Sequence, residues 1–206
     1  MSELNAYLDR LGIRIFSAHS AYGFWRAIKQ NIDLAVGKSR AEKNVNILNK
    51  YKLFFKTVQF CLETTFIIEL YKFFDKRKDV LKLVEDDSYE PGIAKNMITK
   101  KSKIDIENIV KANKPTIDQI KILRKNLFAH DKKNKDILLI PSVPDLDKLF
   151  EGVRNICKII SNETGCKINE WPDQDGKEKN QLFVQIIDDL EKGVELVNKE
   201  IAINQV

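Results

Sequence analysis

Apolar residues recur every three or four positions across residues 4–32: Leu4, Leu8, Leu11, Ile15, Ala18, Tyr22, Trp25, Ile28 and Ile32. At 3.6 residues per turn that spacing returns them to one face, the mark of an amphipathic helix. Gly12 and Gly23 interrupt the stripe and are expected to bend the helix or divide it in two. Gly37-Lys38-Ser39 breaks the pattern, and Ser39 followed by Glu42 reads as a capping box for a second helix. This helix carries Leu48, Tyr51, Phe55, Val58 and Leu62 on one stripe and Ile47, Phe54 and Cys61 on an adjacent one. Two apolar faces predict a helix in the middle of a bundle, running on towards Phe73-Phe74. The charged run Asp75-Lys76-Arg77-Lys78-Asp79 follows, with a short helix expected at about 79–86.

Residues 87–103 hold Pro91-Gly92 and four lysines, Lys95, Lys100, Lys101 and Lys103, so part of this stretch reads as loop. A helix is expected at about 104–112. Pro115 suits a first helical turn, and Thr116 with Gln119 reads as the capping box of the next helix. That helix turns Ile120, Leu123 and Leu127 inward and ends near Asp131-Lys132-Lys133-Asn134. Another starts near Pro144-Asp145, packs Leu146, Leu149, Val153, Ile156 and Ile160, and stops before Gly165. Residues 165–178, with Trp171-Pro172, read as loop. A last helix presents Leu182, Ile186, Leu190, Val194, Val197 and Ile201. No internal repeat, low-complexity run or linker divides the chain. The pattern predicts one all-α domain over residues 1–206, a single helical bundle of about six helices.

Composition agrees with that picture. A chain of 206 residues that is 43% apolar is too hydrophobic to stay disordered and long enough to bury a core without disulfides or metals. Only 8 Gly and 5 Pro punctuate it, which allows long uninterrupted elements. The three cysteines, Cys61, Cys157 and Cys166, are odd in number and lack a C-x-x-C pair, and the chain has 2 His. Zinc needs several ligands at close spacing, so neither a metal nor another cofactor is expected. Cys61 reads as a small core residue, and a reduced, cytoplasmic protein is the expectation. The first residues are amphipathic and carry acids, unlike a secretory signal. The most apolar run, Phe66-Ile67-Ile68, is bounded by Glu63 and Glu69, so no membrane span is expected. No Walker or Rossmann glycine pattern occurs.

Charge adds something local. Lys and Arg total 35 against 30 Asp and Glu, a net +5. Between Lys114 and Lys135 stand seven cations (Lys114, Lys121, Arg124, Lys125, Lys132, Lys133, Lys135) against two acids, Asp118 and Asp131. This one segment therefore matches the excess of the whole chain, and His130 lies within it. A positive patch around a titratable imidazole suits a polyanion whose phosphodiester is to be attacked. The plainer alternative is a solvated helix end whose lysines complement the helix dipole. His19, beside Ser17 and Ser20, reads as a boundary residue of the first helix.

The segment Arg124-Lys125-Asn126-Leu127-Phe128-Ala129-His130, preceded by Ile122-Leu123 and followed by Asp131-Lys132, resembles the HEPN motif, an Arg with a polar neighbour four to six residues before a His. The Leu-Arg before it and the Phe-Ala-His-Asp ending are similar to the abortive-infection, AbiU-type branch of that superfamily. The order of elements fits the same branch: a long apolar helix pair, a charged turn, a short helix, the motif helix and two more. The resemblance implies metal-independent RNA cleavage, with the 2′-OH attacking the adjacent phosphate and leaving a cyclic phosphate. His130 would then move the proton, its ordinary pKa of about 6.5 suiting acid or base. Arg124 would bind the scissile phosphate and stabilise its developing charge. Asn126, four residues before His130, would orient the imidazole or donate to the phosphate. Lys121, Lys125, Lys132, Lys133 and Lys135 would hold the RNA backbone.

Six residues at 100° each place His130 about 120° around the helix from Arg124. A distorted helix, or a second chain, is needed to bring them together. HEPN proteins commonly pair motif helices across a two-fold axis, so the resemblance implies a homodimer in which two copies complete the site. A nuclease in phage defence, or a toxin, would need an antitoxin or other regulatory partner. The alternative functions are a non-catalytic HEPN-like module that binds RNA or protein and dimerises, and a helical scaffold in which the motif is coincidental.

Overall fold

The structure, a computed structural model, describes residues 2–31, 38–75, 98–128, 140–165, 168 and 177–203. Within them run seven helices: α1 (Ser2–Asn31), α2 (Lys38–Lys50), α3 (Lys52–Phe73), α4 (Lys100–Ala112), α5 (Lys114–Phe128), α6 (Val143–Thr164) and α7 (Lys177–Ile203). No strand occurs among the described residues. The all-α reading therefore holds. The short helix expected at 79–86 and the loop residues Trp171-Pro172 lie outside the described residues.

The chain divides into two compact units, Met1–His19 with Thr64–Trp171, and Ser20–Glu63 with Pro172–Val206. Helices α1 and α3 each contribute residues to both. In the first unit the core takes Leu8, Leu11 and Ile15 from α1 and Phe66, Ile67 and Leu70 from α3. Ile106 of α4, Ile117, Ile120 and Leu123 of α5, and the stripe Leu146, Leu149, Val153, Ile156 and Ile160 of α6 complete it. Helix α6 packs against both α4 and α5. In the second unit Ala27, Ile28, Ile47, Phe55, Phe183 and Ile187 form the core, with Leu48, Tyr51, Val58, Leu62 and Leu190 against it. Apolar burial of this kind, not helix propensity, is what stabilises helices of such length.

Several expectations are corrected. Helix α1 runs unbroken through Gly12 and Gly23. At Gly23 the aliphatic stem of the buried Lys179 passes so close that a Cβ would overlap it, so the glycine makes room for a neighbour instead of a bend. The expected second helix parts at Tyr51, although Tyr51 N–H still donates to Ile47 (3.1 Å) and Phe55 N–H to Tyr51 (3.1 Å). The stripe of Leu48, Tyr51, Phe55, Val58 and Leu62 packs on the core, while of the adjacent stripe only Ile47 does. Phe54 is exposed, and so is Cys61, contrary to its reading as core. Helix α2 already begins at Lys38, which places Ser39 inside it and not at its cap.

Helix α4 starts four residues earlier than its apolar spacing suggests. Thr99 caps it, its hydroxyl accepting from Ser102 N–H at 3.2 Å. Glu163, at the far end of α6, accepts from Thr99 N–H (2.9 Å) and from the Ser102 hydroxyl (2.5 Å). A distant carboxylate thus satisfies an N-terminus that local sequence leaves ambiguous. Helix α5 opens at Lys114, with Ile117 N–H donating to Asn113 carbonyl at 3.0 Å, so Thr116 lies within the first turn and not at the cap. Helix α6 starts and stops close to where expected, ending before Gly165 in the left-handed region at φ 67°, and its cap is Ser142, bonded to Asp145. Among the described residues, helix α7 follows its predicted stripe only at Leu190, which packs against the core. It buries Phe183 and Ile187 and leaves Leu182 and Ile186 outside.

Candidate functional site

Helix α5 is anchored by Ile117, Ile120 and Leu123, all buried, which fixes where its polar residues emerge. Arg124 follows Leu123 directly and is half-buried. Its guanidinium lies over the ring of Tyr71, on α3, with its central carbon 4.7 Å from the ring centroid. A guanidinium held over a ring face is attracted by its electron density, and the ring restrains its swing. Asn126, also half-buried, is two residues on and about 200° around the helix from Arg124. The two therefore flank the buried stripe from opposite sides and are not brought together within one chain.

The cations of α5 fall into two sets. Lys114 bonds Asp118 at 2.8 Å and Lys121 approaches the same carboxylate at 3.8 Å. The hydrogen bond from Lys114, reinforced by the charges of Lys114 and Lys121, holds the Asp118 carboxyl below its ordinary range against a small opposing effect of burial. Lys121 thus shares a carboxylate on the helix surface, whereas Lys125 is exposed. His130, Lys132, Lys133 and Lys135 lie outside the described residues, and so does the side chain of Phe128.

Tyr71 was not among the residues the sequence singled out. It follows the buried Leu70 in an ordinary apolar run, and nothing in its spacing pairs it with Arg124 on another helix. His19 is buried, edge-on to Phe150 with ring centroids 5.6 Å apart, an interior residue more than the boundary one expected. Among the described residues no three His, Cys, Asp or Glu side chains are grouped as metal ligands would be. Nor is any helix among them long and apolar enough to cross a membrane.

No curated protein and no solved structure matches the chain. A family model does: HEPN_AbiU2, described as AbiU2, matches residues 1–182. The match takes in the motif segment, the Tyr71-bearing helix and all of α1 through α6. An all-helical chain matched over most of its length, with an Arg–His segment running on from its fifth helix, belongs to the AbiU2 family of HEPN proteins.

Proposed function

We propose that this chain is a metal-independent endoribonuclease of HEPN type, cleaving RNA by attack of the 2′-OH on the adjacent phosphate. The observation that carries this reading is the segment Arg124 to His130 in a chain that belongs to a HEPN family. In the proposed reaction the 2′-oxygen forms a bond to phosphorus, the 5′-oxygen leaves, and a 2′,3′-cyclic phosphate remains. One His130 takes the 2′ proton and a second supplies a proton to the leaving oxygen. Arg124, braced on Tyr71, stabilises the charge that develops on the phosphate. Asn126 orients the imidazole, and Lys121, Lys125, Lys132, Lys133 and Lys135 engage the RNA backbone.

Arg124 and Asn126 emerge on opposite sides of α5, and one chain supplies one His130 in the motif. A homodimer that pairs motif helices answers both points, because its two-fold axis places two copies of each group around one cleft. A nuclease of this kind would act in phage defence or as a toxin in the cytoplasm, held in check by an antitoxin or another regulatory protein.

The test is cleavage of a mixed-sequence RNA in EDTA by wild type, Arg124→Ala and His130→Ala, with end-group analysis and light scattering. Cyclic-phosphate ends from a wild-type dimer, with rates reduced by a factor of about 100 or more in each variant, are the expected result. A folded wild type that does not cleave, or three proteins that cleave alike, would leave the non-catalytic HEPN module as the function.

A further inference from the structure

Helix α3 carries a second apolar face whose large side chains are exposed. Leu53 is 81% exposed, Phe54 59% and Phe60 58%, and Cys61 is exposed beside them. Leu53, Thr57 and Phe60 recur at the i, i+4, i+7 spacing of one helical stripe, with Phe54 and Cys61 along its edge. The stripe points away from Phe55, Val58 and Leu62, which face the core. Thr57 does not break it, because its hydroxyl turns back to the carbonyl of Leu53 at 2.9 Å and leaves the methyl group outward. Phe54 is held edge-on against Phe55, ring centroids 5.2 Å apart, so part of the surface is already ordered. An exposed, contiguous apolar patch on a folded protein marks an interaction surface.

The charge around this stripe selects the partner. From Lys43 to Leu62 the chain has four lysines and no acid. Lys43 is paired with Asp188 and Glu191 of α7. Lys50, Lys52 and Lys56 are exposed and make no ion pair among the described residues. Helical spacing sets Lys52 and Lys56 along one border of the stripe, and Lys50, the last residue of α2, precedes it on the side of Phe54 and Cys61. We propose that this face of α3 docks an amphipathic helix of a partner protein, whose apolar stripe covers Leu53, Phe54 and Phe60 and whose flanking acids meet Lys52 and Lys56 on one side and Lys50 on the other.

A straight stripe from Leu53 to Cys61, about 12 Å along the axis, matches two to three turns of a second helix. A second copy of this chain fits less well. An antiparallel two-fold pairing would set the Lys52 and Lys56 borders of both copies side by side, and the acid that follows on that border, Glu63, is already bonded to Trp25 Nε1 at 2.7 Å. The apolar contacts would supply the affinity and the lysines the choice of partner. This docking face is independent of the nuclease reading.

The test uses the full chain and two synthetic helical peptides with the same leucine face, one bordered by glutamates and one by lysines, titrated by fluorescence anisotropy. The glutamate peptide is expected to bind. It should weaken roughly tenfold when Lys50, Lys52 and Lys56 are all changed to Glu, a charge swap that in turn admits the lysine peptide. Phe60→Ser should abolish both. Equal binding of the two peptides, or of neither, overturns the proposal. It is also overturned if the chain alone forms a dimer that Phe60→Ser dissociates, or sediments with equal-part phosphatidylglycerol and phosphatidylcholine vesicles in a Phe60-dependent way. Only a dimer that depends on Phe60 counts against it, which separates this result from dimerisation through the motif helix.

Discussion

Arg124 shows how much one aromatic neighbour decides. An arginine side chain loses substantial rotamer freedom when it is fixed, and the Tyr71 ring offsets part of that cost in advance. Tyr71→Leu should therefore lower stability by about 1 kcal/mol, seen as a shift of the urea midpoint, whereas Tyr71→Phe should lose much less. A larger loss in Tyr71→Phe than in Tyr71→Leu would show that the hydroxyl, not the ring face, matters. The cysteines make a second contrast. Burial pushes the Cys157 thiol up to about 12, so it remains protonated and unreactive at pH 8. Cys61 is exposed. Iodoacetamide applied to the native protein at pH 8 should alkylate Cys61 and spare Cys157, as read by peptide mass spectrometry. Modification of Cys157 at a comparable rate would contradict its burial.

Among the elements, α4 has the most informative boundary. Its start depends on Thr99 and on Glu163 reaching across from α6. The hydrogen bond from Ser102, followed by that from the Thr99 backbone, holds the Glu163 carboxyl below its ordinary range. A lowered folded pKa means that this stabilisation is complete above the ordinary glutamate value of about 4.3 and is lost as pH falls through the lower folded value. Protection factors for amide exchange at Ser102 and Lys103, which are corrected for the intrinsic rate, should therefore fall on acidification through that range. Glu163→Gln should remove this pH dependence, and unchanged behaviour would mean that the carboxylate does not hold this cap. Thr99→Ala should cost about 1 kcal/mol through loss of the cap. The α3 helix illustrates the opposite situation. Its apolar residues surround it, and the pattern alone cannot tell a helix inside a bundle from one that keeps a face for a partner.

For the whole molecule, the net charge of +5 is modest, and its concentration between Lys114 and Lys135 governs how an RNA would bind. Each phosphate contact on a single strand contributes about 0.7 to the slope of log affinity against log salt. Replacing Lys132, Lys133 and Lys135 by alanine should make that slope shallower by about 2, measured by filter binding across a salt series. An unchanged slope would remove these lysines from the RNA path. Much of the molecule was legible in sequence because helical periodicity is local. The stripes of α1 and α6, the limits of α6 near Pro144-Asp145 and before Gly165, the buried Ile120 and Leu123, and the HEPN resemblance all came from residues near one another in the chain. Where local order left a choice, packing made it. It buried Phe183 and Ile187 of α7 in place of Leu182 and Ile186, kept α1 whole through Gly23 against Lys179, extended α4 to meet Glu163 and set Tyr71 beneath Arg124. These outcomes depend on contacts between residues far apart in sequence, and periodicity within one helix carries no record of them.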